Sequence, residues 1–273
     1  MDSIILHKFN IPVKGVKKKI IYHFSDTHLT EYDSLSDTAE KERAIKQTAA
    51  WENVRSGFAS AYNEPYEEAQ KISGKEHFEN LIKLASAGDA VVMAGDILDY
   101  VSGANLRIAE KGFSSLECPF ISVCGNHEKP EQIPEEGAVS ALGKDVQTVE
   151  FDDLIIIGFD NSKRNITEKQ LKALEETFEK GKAVIIAFHI PIMTEGNKEA
   201  LLRAGEYFRM NYDGCPEENL KFIDLIKENA SKVAAVLAGH LHFNNISEIA
   251  DGVTQYVSSQ GVTGNINQYT VGE

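Results

Sequence analysis

Positive charge is in short supply in this chain of 273 residues: 28 Lys and Arg face 42 Asp and Glu, a formal net charge of −14. Such a surface repels nucleic-acid backbones and anionic membranes unless some patch is locally basic. The one basic cluster is Lys14-Gly15-Val16-Lys17-Lys18-Lys19. Cysteine is scarce too: Cys118, Cys124 and Cys215 are odd in number and lack CxxC spacing. That excludes a disulfide framework and predicts reduced thiols in a cytoplasmic protein. Long apolar runs are missing. The opening run, Ile4-Ile5-Leu6, is too short for a signal peptide or a membrane span. No repeat, low-complexity tract or Pro/Gly/Ser linker divides the chain. The expectation is one domain over residues 1–273, with a helical insertion at about 31–88.

What is present is a series of short, β-branched apolar runs. They are Ile20–Phe24, Ala90–Ala94, Phe120–Cys124, Leu154–Ile157, Ala183–Phe188 and Val233–Ala238. Near-continuous apolar runs of this length suit strands covered on both faces. Helical patterns alternate with them. Thr167-Glu168-Lys169-Gln170 reads as a capping box ahead of Leu171, Leu174 and Phe178, with Gly181 as the stop. Pro216 precedes a helix carrying Leu220, Ile223 and Ile226. The alternation predicts a layered α/β fold. Two hairpins make its sheets mixed: Val146–Phe151 with Leu154–Ile157 about Asp152-Asp153, and Asn245–Ala250 with Val253–Val257 about Asp251-Gly252. Residues 36–84 read as mostly helical, interrupted by Asn63, Pro65 and Gly74, with Trp51, Val54, Phe58 and Tyr62 in one apolar stripe taken as core.

The chemistry lies where the strands end. Ile20–Phe24 runs into Ser25-Asp26-Thr27-His28, and Ala90–Ala94 into Gly95-Asp96-Ile97-Leu98-Asp99. Phe120–Cys124 runs into Gly125-Asn126-His127-Glu128, Ala183–Phe188 into His189, and Val233–Ala238 into Gly239-His240-Leu241-His242. In α/β sheets the carboxyl ends of strands line the binding crevice, so imidazoles and carboxylates arrive at one rim. In extended backbone, residues two apart point the same way, so Asp26 with His28, and His240 with His242, present paired donors. Nitrogen and oxygen donors without thiolate suit Mn, Fe or Zn. Any one fragment is commonly a polar turn or a solvated strand end; five in order are not. Among the other histidines, His23 reads as a packed core residue, and His7 and His77 as surface positions.

The ordered set Asp-x-His, Gly-Asp-x-x-Asp, Gly-Asn-His-Glu, His, Gly-His-x-His resembles the calcineurin-like metallophosphoesterase superfamily, over a frame from His23 to His242. The resemblance implies a four-layer α/β/β/α sandwich of two mixed sheets flanked by helices, and a centre of two divalent metal ions. It implies one metal held by Asp26, His28, Asp96 and His242 and the other by Asp96, Asn126, His189 and His240, with Asp96 bridging. His127 resembles the family's general acid and Asp99 its orienting carboxylate. Tyr100-Val101 follows Asp99 where the protein-phosphatase branch has Arg-Gly, which points to small-substrate members.

The expected activity is hydrolysis of phosphomonoesters or phosphodiesters of small molecules by a metal-bound hydroxide. Cyclic-nucleotide phosphodiesterase and nuclease are the alternatives within the superfamily. A nuclease needs a basic track along its crevice, and Lys14–Lys19 precedes the first of these strands at its amino end, away from that crevice. Neither nucleic acid nor a membrane is therefore an expected partner. Residues 36–84 and the loop from Pro191 to Pro216 are the expected sources of specificity, with Arg55, Arg203, Arg209, Tyr207 and Tyr212 as substrate-contact candidates.

Overall fold

A computed structural model of the chain describes residues 3–204 and 209–273. Among the described residues, eleven strands form two sheets. In chain order they are β1 (Ile5–Ile11), β2 (Lys19–Phe24), β3 (Ala90–Met93), β4 (Phe120–Ser122), β5 (Val146–Glu150), β6 (Leu154–Phe159), β7 (Ala183–Ala187), β8 (Val233–Ala238), β9 (Asn245–Ala250), β10 (Val253–Val257) and β11 (Asn265–Val271). The first sheet has the order β1-β11-β2-β3-β4, and the second β5-β6-β7-β8-β10-β9. Six α-helices accompany them among the described residues: α1 (Thr38–Tyr62), α2 (Gly74–Ala85), α3 (Gly103–Ser114), α4 (Glu168–Glu179), α5 (Lys198–Ala204) and α6 (Glu217–Glu228).

Both sheets are mixed. β2, β3 and β4 run parallel, as do β6, β7, β8 and β10. β11 enters antiparallel to β2 and parallel to β1. The two expected hairpins are present, β5–β6 with Val149 opposite Ile156 and β9–β10 with Tyr256 opposite Ile246.

The apolar runs explain the layering. On β6 and β7, Leu154, Ile156, Ile185 and Ala187 face the other sheet, while Ile157, Phe159, Val184 and Ile186 face α4 and α6 through Leu174, Phe178, Phe222 and Ile226. On β3, Val92 meets the second sheet, while Val91 and Met93 meet Phe78, Leu81 and Phe113 of α2 and α3. Period-two alternation with both faces apolar thus stacks the chain as helix, sheet, sheet, helix. Burying each large aliphatic side chain is worth about 1.5–3 kcal/mol. At the foot of the second sheet, Lys14 lines a cavity with Lys232, Val233 and Asp251, and Lys19 pairs with Asp153. The basic cluster therefore lies at the amino-terminal end of β2 and β8, opposite their carboxyl ends.

Three expectations are corrected. Leu220 on α6 is exposed; the inward face is Asn219, Phe222, Ile223 and Ile226. Gly74 does not interrupt a helix but begins α2, behind a capping box between Ser73 and Glu76. His77, placed at the surface from sequence, is fully buried on α2, its Nε2 2.8 Å from the carbonyl of Gln70. His23 is buried as expected.

Burial lowers the His77 pKa to about 4 from 6.5. The unfolded chain therefore takes the proton first as the pH falls. The contribution of this histidine is intact above pH 6.5 and is lost on acidification toward pH 4. His77→Gln keeps a donor for the carbonyl and removes the titration. Wild-type stability should fall relative to that variant by up to about 1.4 kcal/mol per pH unit below 6.5 in urea unfolding. A gap constant from pH 4 to 7 would contradict a buried neutral imidazole.

Candidate metal centre

The five strand-end segments meet at one rim, at the carboxyl ends of β2, β3, β4, β7 and β8. Their loops interlock through backbone: Asp26 N–H donates to the Gly95 carbonyl at 2.9 Å and His28 N–H to that of Asp96 at 3.0 Å. Among the described residues, seven non-glycine positions have positive φ, and five of these are Asp26 (56°), His28 (42°), Asp96 (52°), His240 (76°) and His242 (61°). Left-handed backbone is strained for such residues and persists where the surroundings over-determine it, typically at functional sites. Glycines permit the crowding. A Cβ on Gly95, itself at φ +86°, would lie 2.6 Å from His189 Nδ1, and one on Gly125 would lie 2.2 Å from Asp96 Oδ1.

Side chains close two adjoining clusters, one of Asp26, His28 and His242 and one of Asp96, His189 and His240. In the first, Asp26 Oδ1 is 3.3 Å from His242 Nε2 and 3.8 Å from His28 Nε2, and those two nitrogens are 3.1 Å apart. In the second, Asp96 Oδ2 is 3.2 Å from His189 Nε2, which is 3.1 Å from His240 Nδ1 and 3.2 Å from Asn126 Oδ1. Asp96 Oδ2 also stands 3.9 Å from His28 Nε2, so this carboxylate lies between the clusters.

Each aspartate divides its oxygens. Asp26 Oδ2 accepts from the Ser25 hydroxyl and the His240 N–H, leaving Oδ1 buried without a hydrogen-bond partner. Asp96 Oδ1 accepts the His127 N–H at 2.9 Å, leaving Oδ2 turned to the imidazoles. His189 Nδ1 sits 2.7 Å from the Ala94 carbonyl. In the neutral ring, the form that can bind a cation, that contact places the hydrogen on Nδ1 and the lone pair on Nε2, toward Asp96.

These donors fit cations. Two ring nitrogens 3.1 Å apart match neighbouring positions around one ion bound at about 2.1 Å, and an orphaned buried carboxylate oxygen calls for a positive partner. Burial alone would raise the carboxyl pKa values, but the surrounding imidazoles, His242 at Asp26 and His189 at Asp96, hold both well below the usual range. Burial works to lower His189, and Asp96 outweighs it, lifting it to about 9. Burial lowers His242.

Glu128 accepts the N–H groups of Asp96, Leu98 and Gly125 at 3.0, 2.8 and 2.7 Å. It staples the loop after β3 to that after β4. Burial, with the charge of Asp96, raises its pKa to about 7.

A third group joins the first cluster: His28, Asp99 and His127. Asp99 Oδ1 is 3.1 Å from His127 Nδ1 and 3.5 Å from His28 Nδ1, and Asp99 O is 3.0 Å from His127 Nδ1. The same Oδ1 accepts the indole N–H of Trp51 at 3.0 Å. Burial would lower the His127 pKa, but the Asp99 carboxylate outweighs it and lifts the value to about 10.

Trp51 is the functional residue the sequence did not single out. Its ring stacks on His28 with centroids 4.0 Å apart, and Phe58 lies 4.9 Å from His242. Of the α1 stripe that reads as core, Trp51 and Phe58 instead wall the first cluster, while Tyr62 packs against the core and stacks on Phe243. The signal was the stripe itself; what it faces is not in the spacing. The other substrate-contact candidates do not reach the clusters. Buried Arg55 donates to the Ile72 carbonyl, Arg209 contacts the Met193 sulfur, Arg164 stacks on Tyr212, and Arg203 is exposed on α5. Tyr207 lies outside the described residues.

A family model for calcineurin-like phosphoesterases matches residues 20–244. Among solved structures, a dimetal phosphatase from Danio rerio is similar at TM-score 0.57 and 12% identity, covering 92% of this chain and 89% of that one. A purple acid phosphatase from yellow lupin (Lupinus luteus) seeds gives TM-score 0.48 and 12% identity over 92% of this chain and 45% of that one. At such identities the first likeness speaks for the fold alone. A comparison with curated proteins finds no match.

Proposed function

As a member of the calcineurin-like phosphoesterase family, this chain is a metal-dependent phosphoric ester hydrolase with a dinuclear divalent centre, and we propose that it hydrolyses phosphate esters of small molecules, with Asp26, His28, Asp96 and His242 holding one ion and Asp96, Asn126, His189 and His240 the other. The observation that carries this is the position of Asp96 Oδ2 between His28 and His189, 3.9 and 3.2 Å away. When bound, two divalent cations lower the pKa of a coordinated water and neutralise phosphoryl oxygens.

The chain supplies the rest. Asp99 holds His127 Nδ1 through its carboxylate and its carbonyl, so the outer nitrogen, Nε2, carries the mobile proton. At a raised pKa of about 10 the ring is charged at neutral pH. With cations held beside it, the ring would give up that proton more readily, nearer the range where a general acid works best. Nε2 then protonates the leaving oxygen as it departs. Trp51 and Phe58 shield the first cluster from water on the α1 side, which strengthens every charge interaction inside.

The nuclease alternative loses support from the basic cluster at the foot of the fold. Among the described residues no helix is long and apolar enough to cross a membrane.

Metal removal tests the proposal. Chelated, dialysed protein should lose at least about 10²-fold of its activity on p-nitrophenyl phosphate and its bis-ester, since a Lewis acid contributes several kcal/mol. Adding back Mn, Fe or Zn should restore it. Hydrolysis by metal-stripped protein at the loaded rate would overturn the mechanism.

A further inference from the structure

Beside the centre lies a cavity of about 250 Å³ lined by Arg43, Asp99, Tyr100, Asn126, His127 and Lys129, among others, the Asp99 carboxylate being engaged by His127 and Trp51. Two of these are cations, in a chain whose net charge is −14. Arg43 comes from the second turn of α1, and its guanidinium carbon lies over the Tyr100 ring, 3.7 Å from the centroid. That stacking restrains a side chain that is otherwise exposed and leaves its fork of donors unspent on the ring. α1 is itself pinned over the cavity: Glu40 accepts the N–H of Gly103 at 3.3 Å, and Trp51 donates to Asp99. Lys129 enters from the loop after β4, two residues beyond His127.

We propose that Arg43 and Lys129 form an anion subsite that selects phosphomonoester dianions over diester monoanions. This rests on the phosphoesterase reading above. A monoester carries close to two negative charges at neutral pH, because its second pKa is near 6; a diester carries one and has no third unsubstituted oxygen. Set against Asp26, Asp96 and a hydroxide, two dications would keep about one positive charge, which a diester monoanion would balance. The extra charge of the monoester needs further donors, and the cavity that reaches Asn126 and His127 provides them in Arg43 and Lys129. Arg43 matches two phosphate oxygens at once through its planar fork, while Lys129 acts as a point charge.

The test uses the Mn-loaded full chain with p-nitrophenyl phosphate and bis(p-nitrophenyl) phosphate. Arg43→Gln should lower the ratio of monoester to diester kcat/KM at least about tenfold, Lys129→Gln less, and Arg43→Lys should recover part of the loss. Orthophosphate binding by calorimetry should weaken at least about tenfold in Arg43→Gln. A ratio and a phosphate affinity both unchanged by the Gln substitutions overturn the subsite while the hydrolase stands. If the loaded wild type cleaves neither ester, the phosphoesterase reading fails. The orthophosphate titration then decides the subsite alone: affinity lost in Arg43→Gln supports it, and affinity retained overturns it.

Discussion

Asp96→Asn is expected to empty the centre of both metals and lower kcat/KM on phosphate esters by about 10³-fold or more, the Lewis-acid contribution being several kcal/mol. The substitution is mild in every other respect. Position 96 has φ 52°, a left-handed conformation that asparagine tolerates well. The new amide oxygen still accepts the His127 N–H that Asp96 Oδ1 takes at 2.9 Å. Its NH₂ group faces His189 Nε2, which sits 3.2 Å from Asp96 Oδ2 and in the neutral ring carries the lone pair. What disappears is one negative charge between two imidazole clusters, the charge proposed to let two dications lie close together. Elemental analysis should fall from two ions per chain toward none, with the fold intact by circular dichroism. Two ions retained at wild-type turnover would remove Asp96 from its shared position.

His127→Ala should leave the metals in place and act on the leaving group. The backbone N–H that holds Asp96 survives the change, and the lost ring is partly exposed. General acids contribute about 10²–10⁴-fold where the leaving oxygen needs a proton. Alkyl phosphates should lose activity on that scale, while p-nitrophenyl phosphate, whose leaving phenolate is stable unprotonated, should lose less than about tenfold. The diagnostic is a steeper dependence of log kcat on leaving-group pKa in the variant. Equal losses across the series would assign His127 a role other than proton donor.

Much of the rim was legible because five strand runs each end in a polar block, and parallel strands deliver their carboxyl ends to the same side. Asp26 and His240 are 214 residues apart in sequence, yet each is positioned by the strand before it. The remainder was hidden for identifiable reasons. β11 carries Asn265, Asn267, Gln268 and Thr270 and so has no apolar run, although it pairs with both β1 and β2. Its polar interior is satisfied locally in part: Asn267 donates to the Tyr269 hydroxyl at 3.0 Å and Asn265 to the Thr263 hydroxyl at 2.9 Å, while Asn267 Oδ1 stays buried without a partner. His77 was hidden because its partner is a backbone carbonyl on the preceding turn, which no side-chain pattern announces. Trp51 had the right periodicity but the wrong assumed neighbour. Helical spacing fixes which residues share a face, and only packing decides whether that face meets aliphatic core or the back of an imidazole.

The placement of Trp51 has an optical consequence. It is the one tryptophan in the chain, and its indole lies 4.0 Å from the His28 ring and 5.7 Å from that of His242. Red-edge ultraviolet excitation therefore addresses a lone chromophore in van der Waals contact with the first cluster, with no emission from other indoles to subtract. The enzyme contains its own fluorescent reporter of how that half of the centre is filled.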